Sequence, residues 1–171
     1  ADTIYGGTGV DSIFGEEGND YIYASAGNDV IDGADDSDTV DYSSSTTGIT
    51  VTLANDGALT SLNHNIGGDF TDSLTNIEGI KGSSTVSNTL TGNNMNNTLI
   101  GGSQADIIKG ISGNNSLNGG AENDTIFAGI GSDTIDGGSG DNDWLYYTDL
   151  ASTNVTVNLR SNTATHDSST D

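Results

Sequence analysis

Most of the chain places one aliphatic residue between short polar, glycine-rich stretches, and this pattern recurs every nine residues. From Gly6 the first block reads GGTGVDSIF, GEEGNDYIY, ASAGNDVID and GADDSDTVD. A second block begins at Thr91 with TGNNMNNTLI, continues through GGSQADIIK, GISGNNSLN, GGAENDTIF and AGIGSDTID, and closes with GGSGDNDWLY, which carries one extra residue. Self-similarity at a fixed short period indicates stacked repeats rather than one globular core.

Counting Gly6 as position one of a repeat, position eight is always Val, Ile or Leu, with mostly polar or aromatic residues on either side. Such alternation predicts a very short strand with one side chain directed inward. Glycine lets the preceding six residues turn through positive φ. We therefore predict that two repeats close one coil, that coils stack in parallel, and that position eight fills a narrow two-layer core. The twelve residues concerned are Ile4, Ile13, Ile22, Ile31, Val40, Leu90, Leu99, Ile108, Leu117, Ile126, Ile135 and Leu145.

Between the blocks the nine-residue pattern stops. Residues 48–53 alternate and predict a longer strand, whereas 72–80 have apolar residues at every third position, which favours a strand and corner that continue the solenoid. We divide the chain into a first block (1–41), a linking or capping β segment (42–86), a second block (87–147) and the start of another linking segment (148–171). YTDLASTNVTVNL from Tyr147 echoes YSSSTTGITVTL from Tyr42, and both ends fall inside a unit, so we expect a piece of a longer array.

Composition narrows the function. The 171 residues include 25 acidic and only 3 basic side chains, for a net charge of −22, with 25 glycines and no cysteine or proline. Such a chain would repel nucleic acid, and it has no run of about 18 apolar residues that could span a membrane. A 32% hydrophobic content is also typical of disorder. The more specific interpretation is that the chain binds multivalent cations, which would cancel its charge.

The candidate cation ligands are the side chains at position six, which is Asp or Asn in every repeat. Turns on one edge of the coil are two repeats apart, so stacked carboxylates should lie about 4.8 Å from one another. A cation midway would be ~2.4 Å from oxygens of both turns, which suits calcium better than magnesium. Repulsion without metal predicts that calcium binding and folding are coupled. The pairs predicted are Asp2–Asp20, Asp20–Asp38, Asp11–Asp29, Asp106–Asp124, Asp124–Asp143 and Asn115–Asp133.

Over about 100 residues these repeats resemble the RTX calcium-binding repeat, G-G-x-G-x-D-x-U-x, in which U is a large aliphatic residue. The resemblance implies an all-β parallel β-roll, with two repeat blocks joined by a non-repeat β segment, and several bound Ca²⁺ ions. It also implies the ligands of each ion. These are two position-six side chains, the carbonyl oxygens of positions one and three in one turn, and the carbonyl oxygens of positions two and four in the stacked turn. The implied ligands are Asp2, Gly6, Thr8, Asp11, Gly15, Glu17, Asp20, Ser25, Gly27, Asp29, Asp38, Gly101, Ser103, Asp106, Gly110, Ser112, Asn115, Gly120, Glu122, Asp124, Gly129, Gly131, Asp133 and Asp143.

Some repeats depart from the family pattern. Asparagine replaces aspartate at Asn88, Asn97 and Asn115, where we expect weaker or empty sites. The extra residue in the last repeat leaves two candidate carboxylates, of which Asp143 is favoured over Asp141 because Trp144-Leu145 follows it. Other departures from the glycine positions occur at Ala24, Ala34, Asp36 and Gln104.

The resemblance implies a calcium-induced folding module of a large secreted bacterial protein, such as an adhesin, toxin or exoenzyme, that folds outside the cell or at its surface after type I secretion. Its partners would be calcium ions and the flanking domains of that protein. We predict no catalysis by this chain: it lacks a G-x-S-x-G elbow, and we interpret His64 and His166 as ordinary surface histidines.

The alternative is a solenoid surface that binds carbohydrate or ice. Phe14, Tyr21, Tyr23, Phe127 and Trp144 flank inward positions and are expected to face outward, either to pack on a neighbouring module or to stack on sugars. Ice binding would need an uninterrupted column of short residues at position seven, which large residues interrupt along the chain.

Overall fold

The computed structural model describes residues 1–55, 57–146 and 156–158, and these contain β-strands and no helix. The strands are mostly three residues long, as the alternation around position eight predicts. They are β1 (Thr3–Tyr5), β2 (Ser12–Phe14), β3 (Tyr21–Tyr23), β4 (Val30–Asp32), β5 (Thr39–Asp41), β6 (Thr50–Thr52), β7 (Thr60–Asn65), β8 (Asp69–Thr75), β9 (Gly79–Lys81), β10 (Thr89–Thr91), β11 (Thr98–Gly102), β12 (Ile107–Lys109), β13 (Ser116–Ala121), β14 (Thr125–Phe127), β15 (Thr134–Ser139), β16 (Trp144–Tyr146) and β17 (Thr156–Asn158).

Successive repeats alternate between two faces of a parallel solenoid. The first face is one eight-stranded sheet in the order β1-β3-β5-β9-β11-β13-β15-β17. The second face consists of a four-stranded sheet, β2-β4-β8-β7, and a five-stranded sheet, β6-β10-β12-β14-β16. Each strand of the first face therefore begins another turn of the solenoid, which confirms the predicted all-β parallel β-roll.

The core is a double column of aliphatic side chains between the two faces. Of the twelve predicted inward residues, eleven are buried and Ile4, in the first coil, is partly buried. The columns continue through the linking segment at 42–86, called the middle segment below, where Val51 pairs with Leu90 and Leu74 with Ile31. Burial of these aliphatic residues is the main apolar contribution to stability, at about 1.5–3 kcal/mol for each side chain.

The middle segment enlarges the third coil rather than interrupting the solenoid. After β5 the chain forms β6, β7 and β8 before it returns to the first face at β9; β6 pairs with β10 and β8 with β4. β7 and β8 form an antiparallel hairpin, with Gly67 of its turn at φ 80°. The predicted strand at 48–53 is shorter, only Thr50–Thr52, and the predicted strand and corner at 72–80 are present as β8 and the bend into β9.

The hairpin was not predicted, although Gly67-Gly68 between two extended runs is a recognised hairpin signal. The division of the chain into four segments stays a prediction. Its last segment, including the echo of the middle segment from Tyr147, falls outside the described residues except for 156–158.

Ile111 gives a stability prediction that depends on backbone strain. It stands at position two of its repeat with φ 70°, a conformation that costs a β-branched residue about 1–2 kcal/mol. Its side chain is 48% exposed, so little burial would be lost on removal. We expect Ile111→Gly to raise the free energy of unfolding in calcium by about 1 kcal/mol, measured by urea denaturation.

Ile130 is the matched control, because it is also half exposed but has a negative φ. Ile130→Gly should lower the free energy of unfolding, since glycine there adds only chain entropy to the unfolded state. Equal effects of the two substitutions would contradict the strain argument.

Candidate metal sites in the turns

The position-six side chains form two ladders, one along each edge of the solenoid. In each ladder, Oδ1 accepts a hydrogen bond from the backbone N–H of the position-six residue in the preceding coil. The Asp20 amide donates to Asp38 Oδ1 at 2.7 Å, and the Asp106 amide donates to Asp124 Oδ1 at 2.8 Å. All six pairs predicted from the sequence are joined in this way.

The second carboxylate oxygen of most ladder aspartates is buried without a hydrogen-bond partner. These atoms are Oδ2 of Asp11, Asp20, Asp38, Asp106, Asp124 and Asp133. A buried polar atom without a partner costs about 1–3 kcal/mol, and more when it carries charge. Six such atoms in register indicate that a bound cation, or a proton, compensates them.

Backbone carbonyls face the same spaces as these free oxygens. A Cβ added to Gly101 would lie 2.3 Å from Asp106 Oδ2 and 2.4 Å from the Gly119 carbonyl oxygen of the next coil. At Gly119 the corresponding distances are 2.2 Å to Asp124 Oδ2 and 2.6 Å to the Gly137 carbonyl oxygen. At these two positions glycine leaves this space open. Carboxylate and carbonyl oxygens converging from two coils are the donor set that calcium uses, so the residues fit this ion.

All twenty-four residues implied as ligands lie along these two edges, in the turns or, for Gly101 and Gly120, at the ends of β11 and β13. The first edge, whose turns precede strands of the first face, holds Asp2, Gly15, Glu17, Asp20, Asp38, Gly110, Ser112, Asn115, Gly129, Gly131 and Asp133. The second edge, whose turns precede strands of the second face, holds Gly6, Thr8, Asp11, Ser25, Gly27, Asp29, Gly101, Ser103, Asp106, Gly120, Glu122, Asp124 and Asp143.

Individual turns differ in detail. Asp143 is buried and accepts the Asp124 N–H at 3.0 Å, whereas Asp141 is exposed, so Asp143 is the ladder residue of the longer repeat. Asp2, in the first coil, is exposed. Asp29 differs from its neighbours because Ser25 Oγ donates to its Oδ2 at 3.2 Å.

Two ladder residues were missed in the sequence. The Asp29 N–H donates to Asp72 Oδ1 at 2.8 Å, and the Asp38 N–H donates to Glu78 Oε2 at 3.1 Å. Both lie two residues before an inward aliphatic side chain, Leu74 or Ile80, as the repeat aspartates do. This spacing was the available signal, but the absence of a nine-residue period in the middle segment concealed it.

Asp72 is compensated by protein groups at its second oxygen. The Tyr42 hydroxyl donates to Oδ2 at 2.8 Å, and His64 Nε2 lies 3.1 Å from the same atom, although the ring is not aligned for a hydrogen bond. Burial, together with Asp72, raises the pKa of Tyr42 well above its usual value and so keeps the hydroxyl protonated. The interpretation of His64 as a surface histidine is wrong: its side chain is buried between Tyr42 and Phe70. His166 lies outside the described residues.

Two ladder carboxylates, those of Asp124 and Asp38, have raised pKa values in the chain without metal. Burial raises the pKa of Asp124 to about 7, with repulsion from Asp106 and Asp143 adding to the shift and a backbone hydrogen bond opposing it. Burial and repulsion by Asp20 similarly raise the pKa of Asp38 to about 6. Asp41 is the contrast, since hydrogen bonds, including one from the Ser43 N–H at 2.7 Å, outweigh burial and lower its pKa.

The outward residues at position seven belong to two different faces of the solenoid. This corrects the prediction that they form a single column interrupted by large residues. Val30, Ile107 and Trp144 belong to the second face. On the first face, Tyr21 is the one large residue among those described at this position. The described residues are Thr3, Tyr21, Thr39, Gly79, Thr98, Ser116 and Thr134.

The aromatic residues expected to face outward do so. Phe14 and Trp144 are 62% and 52% exposed, and Tyr21, Tyr23 and Phe127 are partly exposed.

Comparisons with known proteins agree with the repeat geometry. A family model described as the RTX calcium-binding nonapeptide repeat (4 copies) matches residues 5–40, 85–110 and 109–143. No curated protein matches the chain. Among solved structures, the chain is similar to the extracellular lipase LipA from Serratia marcescens, with 17% identity, a TM-score of 0.26, and coverage of 78% of this chain and 30% of the lipase. It thus spans under a third of that protein, and a similarity this weak carries no argument about activity.

In the described part of the chain no helix is long and apolar enough to cross a membrane. The repeat itself forms a structural calcium-binding module and is not a catalytic fold. Because the matched ranges cover more than half of the sequence, the chain belongs to the RTX calcium-binding nonapeptide repeat family.

Proposed function

We propose that this chain is a calcium-dependent folding module of a larger secreted bacterial protein. The observation that carries the proposal is the row of buried Oδ2 atoms without partners along both edges. Bound calcium supplies the positive charge that neutralises the facing carboxylates. Without it, the coils that contain these oxygens hold uncompensated buried charge and are not expected to stay folded.

Several ions would be held between acidic turns that stack on one another. The strongest candidates join Asp106 with Asp124, Asp124 with Asp143, and Asp20 with Asp38, because free buried oxygens and carbonyl oxygens meet there. In each, carbonyls of positions one and three of one turn would act with those of positions two and four of the next. The same logic includes the turns of Asp11 and Asp29 and, more weakly, those of Asn115 and Asp133.

Secretion is supported by the chemistry of folding. A module that folds only with calcium remains unfolded where calcium is scarce and folds where calcium is abundant, outside the cell. The lack of cysteine means that folding requires no disulfide. The echo between the sequences from Tyr42 and Tyr147 suggests a long, repetitive parent protein, for which an adhesin or surface-layer-like protein is favoured over a toxin or exoenzyme.

A calcium titration tests this function. The chain, freed of metal with a chelating resin, should gain β-sheet circular dichroism as calcium is raised to millimolar concentrations. Magnesium at the same concentrations should have a much smaller effect, because it prefers shorter bonds and a rigid octahedral geometry. An unchanged spectrum in millimolar calcium would rule out the proposal.

A carbohydrate-binding surface is the second candidate, and it is favoured by the aromatic cluster on the five-stranded sheet. Phe127 and Tyr146 stack with ring centroids 4.8 Å apart, Trp144 lies 6.4 Å from Tyr146, and Lys109 Nζ lies 5.6 Å from the Phe127 ring. Flat exposed rings of this kind can stack on sugars. Trp144 is the only tryptophan, so its fluorescence should change with a bound glycan. A glycan array with no hits and a measurable thermal hysteresis would instead favour ice.

A further inference from the structure

Three ladder positions carry asparagine instead of aspartate, namely Asn88, Asn97 and Asn115, and all three side chains are buried. The Oδ1 atoms of Asn88 and Asn115 accept a backbone N–H from the preceding coil, as those of the aspartates do, whereas Asn97 Oδ1 accepts the Asn93 N–H of its own turn at 2.9 Å. Asn88 Oδ1 accepts the N–H groups of Ile49 and Ser83 at 2.9 Å, and Asn115 Oδ1 accepts the Asn97 N–H at 2.9 Å. Because a backbone N–H fixes the oxygen on one side, the amide NH₂ must lie where an aspartate has its free Oδ2.

The amide groups donate to backbone carbonyl oxygens of the turns and to the Oδ1 atom of the ladder aspartate in the next coil. Asn115 Nδ2 donates to the Ser112 carbonyl oxygen at 3.3 Å and to Asp133 Oδ1 at 3.0 Å. Asn88 Nδ2 donates to the Ser83 carbonyl oxygen at 3.0 Å and to Asp106 Oδ1 at 2.8 Å. The partial positive charge of the NH₂ group thus stands where the acidic turns need an ion.

Asn97 extends this neutral network into the middle segment. Its Nδ2 donates to Asn93 Oδ1 at 3.1 Å and to the Glu78 carbonyl oxygen at 3.3 Å, while Asn93 Nδ2 donates to the Ala54 carbonyl oxygen at 2.6 Å. At this edge, neutral amide side chains thus add to the backbone pairing of β9 with β11 in joining the second block to the middle segment.

Buried acids of the middle segment are also compensated by protein groups. Asp41 Oδ2 accepts from Tyr21 at 2.6 Å and from Lys81 Nζ at 3.1 Å, and Asp72 has the partners described above. Within the described residues, no buried carboxylate oxygen between Asp38 and Asp106 lacks a partner. Residues 41–99 hold half of the core: of the twenty buried apolar residues in the described part of the chain, ten are Tyr42, Ile49, Val51, Leu53, Leu62, Leu74, Ile77, Ile80, Leu90 and Leu99.

We infer that the middle coils, residues 41–99, fold without calcium, because asparagine amides, Lys81 and Tyr42 replace the ion there. Calcium then orders the acidic turns on either side by stacking them onto this preformed centre. The inference rests on the proposed function only for the flanking coils, since the stability of the centre involves no metal. It also explains why, in a strongly acidic chain, asparagine replaces aspartate at Asn97 and Asn115, which stack on the first edge, and at Asn88 on the second edge.

Hydrogen–deuterium exchange of the whole chain, read by mass spectrometry with and without calcium, tests this inference. In metal-free buffer, amides of residues 41–99 should exchange at least ~10-fold more slowly than those of residues 1–38 and 101–146. Adding calcium should protect the flanks. Equal exchange of centre and flanks without calcium, whether fast or slow, would overturn the inference. Flanks that stay unprotected in calcium would contradict the proposed function but leave the inference standing.

A substitution that introduces a charge at Asn88 tests whether its amide group replaces an ion. Asn88→Asp replaces the donor with a carboxylate that faces Asp106, so it should abolish the metal-free protection of residues 41–99, and calcium should restore it. Asn94→Asp, which adds the same charge at an exposed position of the neighbouring turn, should change neither result. Unchanged metal-free exchange in the Asn88→Asp variant would show that the amide does not replace an ion.

Discussion

Replacing Asp124 with asparagine is expected to stabilise the metal-free second block and to weaken its response to calcium. Asp124 is fully buried, its Oδ2 has no partner, and its pKa is raised to about 7 by burial and by neighbouring carboxylates. An amide keeps the Oδ1 hydrogen bond to the Asp106 N–H and removes the uncompensated charge. In calcium, the same change removes a charged ligand that two stacked sites would share.

The two effects are measured separately. Without metal, amides of residues 101–146 should exchange about 10-fold more slowly than in the parent chain, which corresponds to about 1.4 kcal/mol and lies within the cost of an unsatisfied buried charge. The calcium concentration at the folding midpoint should rise by about 10-fold or more. Asp141→Asn is the control, because Asp141 is exposed and outside the ladder. A variant that is less stable in both states would contradict this interpretation of Asp124.

Lowering the pH is expected to order the metal-free chain and to remove its need for calcium. The pKa values of Asp38 and Asp124 are raised to about 6 and about 7, whereas an unfolded aspartate titrates near 3.9. The folded state therefore binds more protons than the unfolded state between these values. The stability that protonation of these two carboxyl groups contributes is fully present below about pH 4 and is lost as the pH rises through about 6 to 7.

Circular dichroism of the metal-free chain from pH 8 to pH 4.5 measures this dependence, with β-sheet signal expected to grow as the pH falls. Calcium should have its largest effect near pH 8 and progressively less below pH 6, since protons and calcium compete for the same carboxylates. The Asp124→Asn variant should show a smaller pH dependence without metal. A metal-free chain that is most ordered at pH 8 would be inconsistent with the raised pKa values.

The repeat blocks could be predicted from sequence because a fixed period carries both the core and the ladders. Once Ile126 and its counterparts are recognised as inward, the residue two places earlier must lie in a turn above its counterpart one coil away. This is why pairs such as Asp106–Asp124 were predicted without coordinates. The same spacing identified the ladder residue of the longer last repeat, because Asp143, and not Asp141, lies two residues before the inward Leu145.

The middle segment could not be predicted to the same degree, because its insertions vary in length and destroy the period. Asp72 enters the ladder only because β8 pairs in parallel with β4, a contact across more than forty residues of chain. His64 is polar in its sequence context and becomes buried only when the hairpin packs against Tyr42. For Asn88 the sequence indicated a weak or empty site, but the donation of its amide to Ser83 and Asp106 required side-chain geometry.

Anomalous diffraction from crystals grown in millimolar calcium would locate the bound ions. We expect ions between the turns of Asp20 and Asp38, of Asp106 and Asp124, and of Asp124 and Asp143, each touching an Oδ2 atom that has no protein partner. We expect no ion between the turns of Asn97 and Asn115. Acidic turns without anomalous density, or ions bound at the asparagine turns instead, would contradict this expectation.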